Sequence, residues 1–363
     1  MRFPEFSGEW KMATFGDIAK GFDYGMNAAA KSFDGNNKYI RITDIDEVSS
    51  QYLYDDVVSP DGELEDRYLV KENDILLART GASTGKSYLY RNSDGKLYFA
   101  GFLIRANIYK HNSYFVFSQL HTLRYKKWIS VMSARSGQPG INSQEYASFP
   151  VYTTSLQEED KIATFLKLLD ERIITQNKII EKLQSLIKGL AAQLTHSGTP
   201  NIRLCDCLEC HSSTLQENCV SVTGSYPVYG ATGLIGYTNN YAYNGESILI
   251  VKDGSGVGSL SYVNDHFSVI GTLNYLTAKE NYSILYLYYA LMAFNFTPYI
   301  TGMAIPHIYF KDYGKAKLFY PSIEKRIRIA SLLHNIEQKL VVEQNLVISL
   351  SAQKSYLLRM LFI

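Results

Sequence analysis

Two long stretches of the chain carry apolar side chains at alternating steps of three and four residues, over residues 156–196 and 323–363. This spacing is typical of helices that pair along one apolar stripe. A helix of about 40 residues is about 60 Å long, and its stripe must be covered along that length. We therefore predict two long helices that pack on each other. The pairing residues are Leu166, Leu169, Ile173, Gln176, Ile180 and Leu183 in the first helix and Leu333, Ile336, Leu340, Glu343, Val347 and Leu350 in the second.

One polar residue interrupts each stripe near its middle, Gln176 in the first helix and Glu343 in the second. If the helices pair antiparallel, these two side chains meet. A hydrogen bond between them would then fix register and direction at some cost in stability. The alternative is that both are solvated residues at the edge of the stripe.

The chain also repeats itself, with a strand-rich part before each helix. Residues 72–77, followed by Gly81 and Gly85, return as residues 245–250, followed by Gly254 and Gly258. A repeated order of globule and helix predicts an α+β protein: two similar globular domains and two long antiparallel helices with pseudo-two-fold symmetry. The predicted domains are 1–155 and 197–322, and the predicted helices are 156–196 and 323–363.

Local patterns predict several elements inside the globules. Residues 39–45 and 247–251 are dense in β-branched and aromatic side chains, so we predict strands there. Residues 115–128 and 284–294 have helical spacing and occupy similar places in the two copies. These elements give each globule a mixed sheet and helix composition.

Charge and composition limit the classes of function. The 363 residues have a formal net charge of +1, and residues 197–322 alone have a net charge of −2, so a nucleic-acid site would have to be a local patch. The longest apolar run is far shorter than the roughly 20 residues of a membrane span, and the start does not resemble a signal peptide. We therefore expect a cytoplasmic protein without a membrane partner.

Candidate catalytic and metal-binding motifs are weak. Residues 81–87 resemble a phosphate-binding loop, but only three residues separate its glycines and the second copy lacks the lysine, so a tight turn is the better prediction. The four cysteines lie within residues 205–219 without a second, distant ligand pair, so we expect thiols rather than zinc. No paired nucleophile and base are visible. We predict no catalytic residue, no metal site and no cofactor in this chain, which favours a binding protein.

Four stretches together resemble the specificity subunits of type I restriction–modification systems: residues 2–10, 39–46, 226–237 and 301–308. Residues 136–142 are a looser version of the stretch 301–308. The resemblance covers essentially the whole chain and includes the duplication. It implies that the globules are two DNA target-recognition domains and that the helices are spacers.

The same resemblance implies a function and partners. The chain would recognise an asymmetric bipartite sequence in double-stranded DNA without catalysing a reaction. Two modification subunits would bring S-adenosylmethionine and methylate adenine, and two restriction subunits, where present, would use ATP and Mg²⁺ for cleavage. The alternative is a duplicated coiled-coil adaptor whose globules bind proteins or carbohydrate.

Polar side chains on Gly/Pro-rich loops are our candidates for DNA contacts, because loops on a rigid scaffold often carry recognition residues. For each of them the alternative is an ordinary solvated loop residue. The candidates are Arg79, Lys86, Gln138 and Asn142 in the first globule and Lys252, Ser255, His307 and Tyr309 in the second.

Overall fold

The computed structural model describes residues 2–134 and 138–362. The chain divides into two compact units. Unit 1 comprises residues 1–175 and 346–363, and unit 2 comprises residues 176–345. Each unit thus combines one globule with parts of both long helices. This division differs from the predicted linear domains, whose boundaries stay a prediction.

Unit 1 is built around an antiparallel four-stranded sheet with strand order β2-β9-β6-β7. Its strands are β1 (Lys11–Thr14), β2 (Ala19–Tyr24), β3 (Ala29–Ser32), β4 (Lys38–Ile40), β5 (Val58–Asp61), β6 (Asp74–Ala78), β7 (Ser87–Leu89), β8 (Leu97–Phe99), β9 (Leu103–Ile108) and β10 (Pro150–Thr153). Its short helices are α1 (Phe15–Ile18), α2 (Ser113–Gln119), α3 (Leu123–Met132) and α4 (Ser143–Ala147), and the long helix α5 (Leu156–Thr195) begins in this unit.

Unit 2 repeats this sheet as β12-β17-β15-β16 and extends it with β13 and β14. Its strands are β11 (Ile202–Arg203), β12 (Leu208–Ser212), β13 (Tyr226–Gly230), β14 (Gly233–Thr238), β15 (Tyr243–Val251), β16 (Leu260–Val269), β17 (Leu273–Ala278) and β18 (Lys317–Leu318). Its short helices are α6 (Leu204–Cys207), α7 (Ile284–Met292) and α8 (Phe310–Tyr313), and the long helix α9 (Ile323–Leu361) begins here.

The register of the two sheets shows how closely the second copy follows the first. Ile75 of β6 pairs with Ala106 of β9, and Ile248 of β15 pairs with Leu276 of β17. Ile75 and Ile248 occupy the same place in the sequence repeat. The duplication seen in the sequence is therefore a duplication of strand order and register.

Each unit packs its own part of α5 against its own part of α9. In unit 1, Leu166 of α5 shares a core with Leu357 of α9, and Asp170 pairs with Lys354 at 2.6 Å. In unit 2, Ile187 and Ala191 of α5 share a core with Ile329 and Leu333 of α9. Later residues of α5 meet earlier residues of α9, so the two helices run antiparallel in each unit. The predicted α+β class with two similar globules and antiparallel long helices is confirmed.

The strand predicted over residues 39–45 is wrong beyond Ile40. The chain turns into a 3-10 helix at Ile42–Asp44. The carboxylate of Asp44 accepts a hydrogen bond from the Arg41 backbone N–H at 2.8 Å and pairs with the Arg41 guanidinium at 2.8 Å. This local capping competes with strand pairing.

The single helix predicted over residues 115–128 is two helices, α2 and α3. Thr122 causes the break, because its hydroxyl donates to the Gln119 carbonyl at 2.7 Å and accepts from the Tyr125 N–H at 3.3 Å. Thr122 is thus the N-cap of α3, a role that threonine fills well. In the second copy the predicted helix exists as one element, α7. The strand predicted over residues 247–251 lies within β15.

Candidate nucleic-acid interface

The candidate interface of each unit is built around a tight turn that follows a buried strand. We call residues 79–86 and 252–259 the glycine turns. Gly85 donates its N–H to the Ala78 carbonyl at 3.0 Å, and Gly258 donates to the Val251 carbonyl at 2.8 Å. Two glycines in each turn, Gly81 with Gly85 and Gly254 with Gly258, have positive φ, a backbone conformation that favours glycine. The turn predicted from the sequence therefore exists in both copies.

Each glycine turn is held by a second loop that contains a proline. We call residues 138–142 and 305–309 the proline loops. In unit 1, Gly81 donates to the Pro139 carbonyl at 2.9 Å, and Ile141 donates to the Arg79 carbonyl at 2.9 Å. These two bonds join the loops into one surface.

Unit 2 repeats both bonds. Gly254 donates to the Pro306 carbonyl at 2.9 Å, and Ile308 donates to the Lys252 carbonyl at 3.0 Å. The two units therefore present the same backbone framework with different side chains on it.

Most backbone N–H groups of the glycine turn in unit 1 are bonded within the protein. The N–H groups of Gly81, Thr84, Gly85 and Lys86 all donate to carbonyl groups of the protein. A phosphate-binding loop needs such groups to face its ligand. These four groups are therefore occupied within the protein and do not face a phosphate.

Arg79 occupies the start of the glycine turn of unit 1. The carbon of its guanidinium lies 4.9 Å from the ring centre of Tyr24, and its Nε is shielded without a hydrogen-bond partner in the described part of the chain. The Tyr24 hydroxyl accepts from the Ser143 N–H at 3.2 Å. This hydrogen bond and the nearby Arg79 charge lower the pKa of Tyr24 from its ordinary value.

The other three predicted residues of unit 1 have different surroundings. Lys86 lies 3.7 Å from a carboxylate oxygen of Glu47, and Gln138 is exposed on the proline loop. Asn142 is the N-cap of α4, because its side chain accepts from the Glu145 N–H at 2.9 Å while the Glu145 carboxylate accepts from the Asn142 N–H at 2.7 Å. Sequence reasoning missed this capping role, although Asn142 and Glu145 have the spacing of a capping box.

The four predicted residues of unit 2 lie on the same framework. Lys252 is at the place of Arg79, and Ser255 is exposed on the glycine turn. The rings of His307 and Tyr309 are 5.0 Å apart on the proline loop. Tyr309 is 48% exposed and occupies the place of Asn142 immediately before α8.

Unit 1 also contains a groove that the sequence did not predict. Its volume is about 640 Å³. Arg79 lines this groove together with Tyr24 and Phe102, and Phe102 is 57% exposed. The one sequence signal for Phe102 is its position after Gly101 at the start of a strand, which is too common to single it out.

The predicted helix-pairing residues are buried or half-buried on α5 and α9. Gln176, 1% exposed, donates from its Nε2 to the Glu343 carboxylate. Lys339 lies 3.7 Å from the other oxygen of Glu343. The Oε1 atom of Gln176 is buried and has no hydrogen-bond partner among the described residues. The side chains thus meet as an antiparallel pairing requires.

The cysteine cluster contains free thiols. Burial raises the pKa of Cys207 to about 12 and that of Cys210 to about 11, so both are protonated near neutral pH. Over residues 2–134 and 138–362, no three His, Cys, Asp or Glu side chains lie together as a metal ion would require.

Among the helices within residues 2–134 and 138–362, none is both long enough and apolar enough to cross a membrane.

Comparisons with known proteins match both copies. A family model described as a type I restriction modification DNA specificity domain matches residues 7–185 and 202–350. The chain is 28% identical over 112 residues to the type I restriction enzyme EcoprrI specificity subunit of Escherichia coli, covering 31% of this chain and 28% of the relative. It is 24% identical over 206 residues to the type I restriction enzyme MjaVIII specificity subunit of Methanocaldococcus jannaschii, covering 54% and 44%. The matches thus span less than half of each relative.

Solved structures share the fold over nearly the whole chain. The S subunit of a type I restriction–modification system from M. genitalium has a TM-score of 0.72 at 17% identity, covering 98% of this chain and 96% of that one. A second structure comes from work on the complex assembly and conformational transition of the type I R-M system. It has a TM-score of 0.51 at 14% identity and covers 96% of both chains. At these identities the likeness shows the fold.

Proposed function

Because the chain belongs to the family of type I restriction–modification DNA specificity domains, we propose that it recognises an asymmetric bipartite sequence in double-stranded DNA. The observation that carries this proposal is the repeated framework of glycine turn and proline loop. Equivalent backbone bonds hold Arg79 in unit 1 and Lys252 in unit 2. Because the side chains on this framework differ, each unit reads a different half of the target.

The chain itself performs no chemical step. Its role is to bind a duplex and position partner subunits that carry the catalytic groups. Four amides of the glycine turn, those of Gly81, Thr84, Gly85 and Lys86, are bonded within the protein, which disfavours a nucleotide-phosphate site there. S-adenosylmethionine, ATP and Mg²⁺ are therefore assigned to the partners.

The partners are two modification subunits, joined by two restriction subunits where the system also cleaves DNA. The complex works in the cytoplasm, where its DNA target is found. The family match over both copies supports association with such subunits. It also favours DNA recognition over the adaptor alternative, which needs neither a duplex nor a methyltransferase.

The test is co-expression of the full chain with the modification subunit encoded beside it, followed by sequencing of modified bases. We expect methylated adenines in one asymmetric motif of two halves, and we expect the subunits to co-purify. The modification subunit alone is the control and should leave no such motif. Absence of both the motif and co-purification would contradict the proposal and favour the adaptor.

A second arm tests the absence of catalysis. The purified chain, supplied with S-adenosylmethionine, ATP, Mg²⁺ and target DNA, should transfer no methyl group and cut no strand. Activity that survives purification away from every partner would contradict this part of the proposal.

A further inference from the structure

A second tight turn lies beside the glycine turn in each unit and brings one more side chain to the candidate interface. In unit 1 it precedes β9, and Arg79 donates its backbone N–H to the Phe102 carbonyl at 3.0 Å. In unit 2 it precedes β17, and Lys252 donates to the Thr272 carbonyl at 3.0 Å. Phe102 and Thr272 are therefore structural equivalents. The backbone carbonyl of each accepts from the backbone N–H of the basic residue of its own unit.

The backbone around this turn is also repeated. Leu103 donates to the Ala100 carbonyl at 2.8 Å, and Leu273 donates to the Ile270 carbonyl at 3.0 Å. In unit 1 the neighbouring chain passes very close, since a Cβ atom added at Gly25 would lie 2.2 Å from the Ala100 oxygen. We call this turn, residues 100–103 in unit 1 and 270–273 in unit 2, the platform. Its backbone bond is the same in both units, and the side chain that it presents differs.

At this platform of unit 1, Phe102 is exposed and Arg79 contacts Tyr24 rather than a carboxylate. Phe102 is 57% exposed, more than Phe33 and Phe165, the other two exposed phenylalanines of the described residues. Arg79 forms no ion pair with a carboxylate of the described chain, and its Nε has no acceptor there. Both side chains line the same groove.

The chemistry of the two side chains matches particular base edges. An arginine fork fits the O6 and N7 acceptors that guanine presents in the major groove, and an apolar side chain fits the methyl group of thymine. The ring of Tyr24 under the Arg79 guanidinium limits the orientations of the fork. A pre-oriented fork loses less conformational freedom on binding.

Resting on the proposed function, we propose that Arg79 and Phe102 read a guanine and an adjacent thymine in the half-site of unit 1. The equivalent pair in unit 2, Lys252 and Thr272, presents a point charge and a small side chain. It therefore reads its half-site by different contacts. This difference between equivalent side chains makes the two halves of the target unlike.

The test uses the full chain with its modification subunit and compares motifs mapped from modified bases. Arg79→Lys and Phe102→Thr install the residues that unit 2 carries. We expect Arg79→Lys to relax selection for one guanine by about 5- to 150-fold, the range of a bidentate base contact. Phe102→Thr should relax the neighbouring position, and the other half of the motif should stay unchanged.

Matched controls are available in unit 1. Arg67→Lys replaces an arginine that pairs with Glu65 at 2.9 Å, and Phe33→Thr replaces another exposed phenylalanine. Neither should alter the motif. Thermal unfolding of each variant establishes that it is folded.

The outcomes separate this inference from the proposed function. If the unchanged chain yields no bipartite motif, the proposed function fails. If it yields one and both variants leave every position unchanged, the assignment of Arg79 and Phe102 is overturned. Weaker methylation with every position of the motif still selected also overturns it, because a phosphate contact weakens binding to all sequences alike.

Discussion

Gly85 shows how much of the candidate interface depends on single residues. Its φ is +91°, and an added Cβ would lie 2.9 Å from the Ile129 side chain of α3. We predict that Gly85→Ala lowers the free energy of unfolding by about 1–3 kcal/mol, because a Cβ disfavours this torsion and α3 must also shift. Chemical denaturation measures the change.

The matched control for this prediction is Gly21→Ala in β2. Gly21 has no atom within 4 Å of an added Cβ and does not have a positive φ. Its substitution should change the free energy of unfolding by less than about 1 kcal/mol. Equal effects at Gly21 and Gly85 would contradict the role given to the turn.

His121 makes the stability of unit 1 depend on pH. Its Nδ1 faces the Phe117 carbonyl at 3.0 Å and therefore donates, so its Nε2 accepts from the Ser50 hydroxyl at 2.9 Å. Burial, helped by the Lys354 charge, lowers the pKa of His121 to about 4, against an ordinary value of about 6.5. Protonation would place a positive charge in this buried site, beside the Lys354 charge.

The sign of the effect follows from the direction of this shift. Between pH 4 and 6.5 the unfolded chain binds a proton that the folded chain does not, so stability is complete above pH 6.5 and falls as the pH drops toward 4. We predict that the stability advantage of the unchanged chain over His121→Gln shrinks by about 1–3 kcal/mol between pH 7.5 and 4.5. Denaturant titrations at both pH values measure it, and a constant difference would contradict it.

At the scale of elements, Asn142 has two roles that substitutions can separate. As the N-cap of α4 it stabilises the helix, and Asn142→Ala should lower the free energy of unfolding by about 0.5–2 kcal/mol. Asn142→Asp keeps a capping oxygen and should keep the stability. If Asn142 also contacts DNA, the aspartate variant should bind the target more weakly because its charge repels phosphate. Unchanged unfolding of Asn142→Ala would contradict the capping role.

Gln176 and Glu343 form the polar contact within the paired helices. Gln176→Leu should lower the free energy of unfolding by about 1–3 kcal/mol, because it leaves the Glu343 carboxylate without its amide partner. The double variant Gln176→Leu with Glu343→Leu should lose less than the single variant, because no buried polar group is left unpaired.

The control for this pair is Asn177→Leu, one residue further along α5 on its exposed side. It should change stability by less than about 0.5 kcal/mol. A double variant that is less stable than the sum of the single variants would contradict the account.

The sequence predicts the long helices well because heptad spacing reports one buried stripe that is repeated over many residues. The observed bounds, Leu156–Thr195 and Ile323–Leu361, lie within two residues of the predicted ones. Short elements are harder, because one side chain decides them. Asp44 ends a strand and Thr122 splits a helix through local hydrogen bonds that no periodic pattern records.

The candidate interface was predicted only in part for a related reason. Glycines and prolines identify the loops, but they do not tell which loops bond to each other. The pairing of Arg79 with Phe102 depends on a turn 23 positions along the chain, at the start of another strand. Phe102 therefore becomes a candidate only when the strand order is known.

At the scale of the whole molecule, the duplication gives the proposed recognition of two unlike half-sites a structural basis. Both units keep the same sheet order and the same bonds between glycine turn and proline loop. Selection on such a framework can change exposed side chains without disturbing the core. The account therefore predicts two recognition elements of similar build and different specificity.

The most direct test of this claim is missing-nucleoside interference with the complex of chain and modification subunits on a duplex that contains the mapped motif. We predict that the bases required for binding fall into two groups of different sequence, separated by positions whose loss is tolerated. One continuous group, or two identical groups in inverted orientation, would contradict the claim that unlike units read unlike halves.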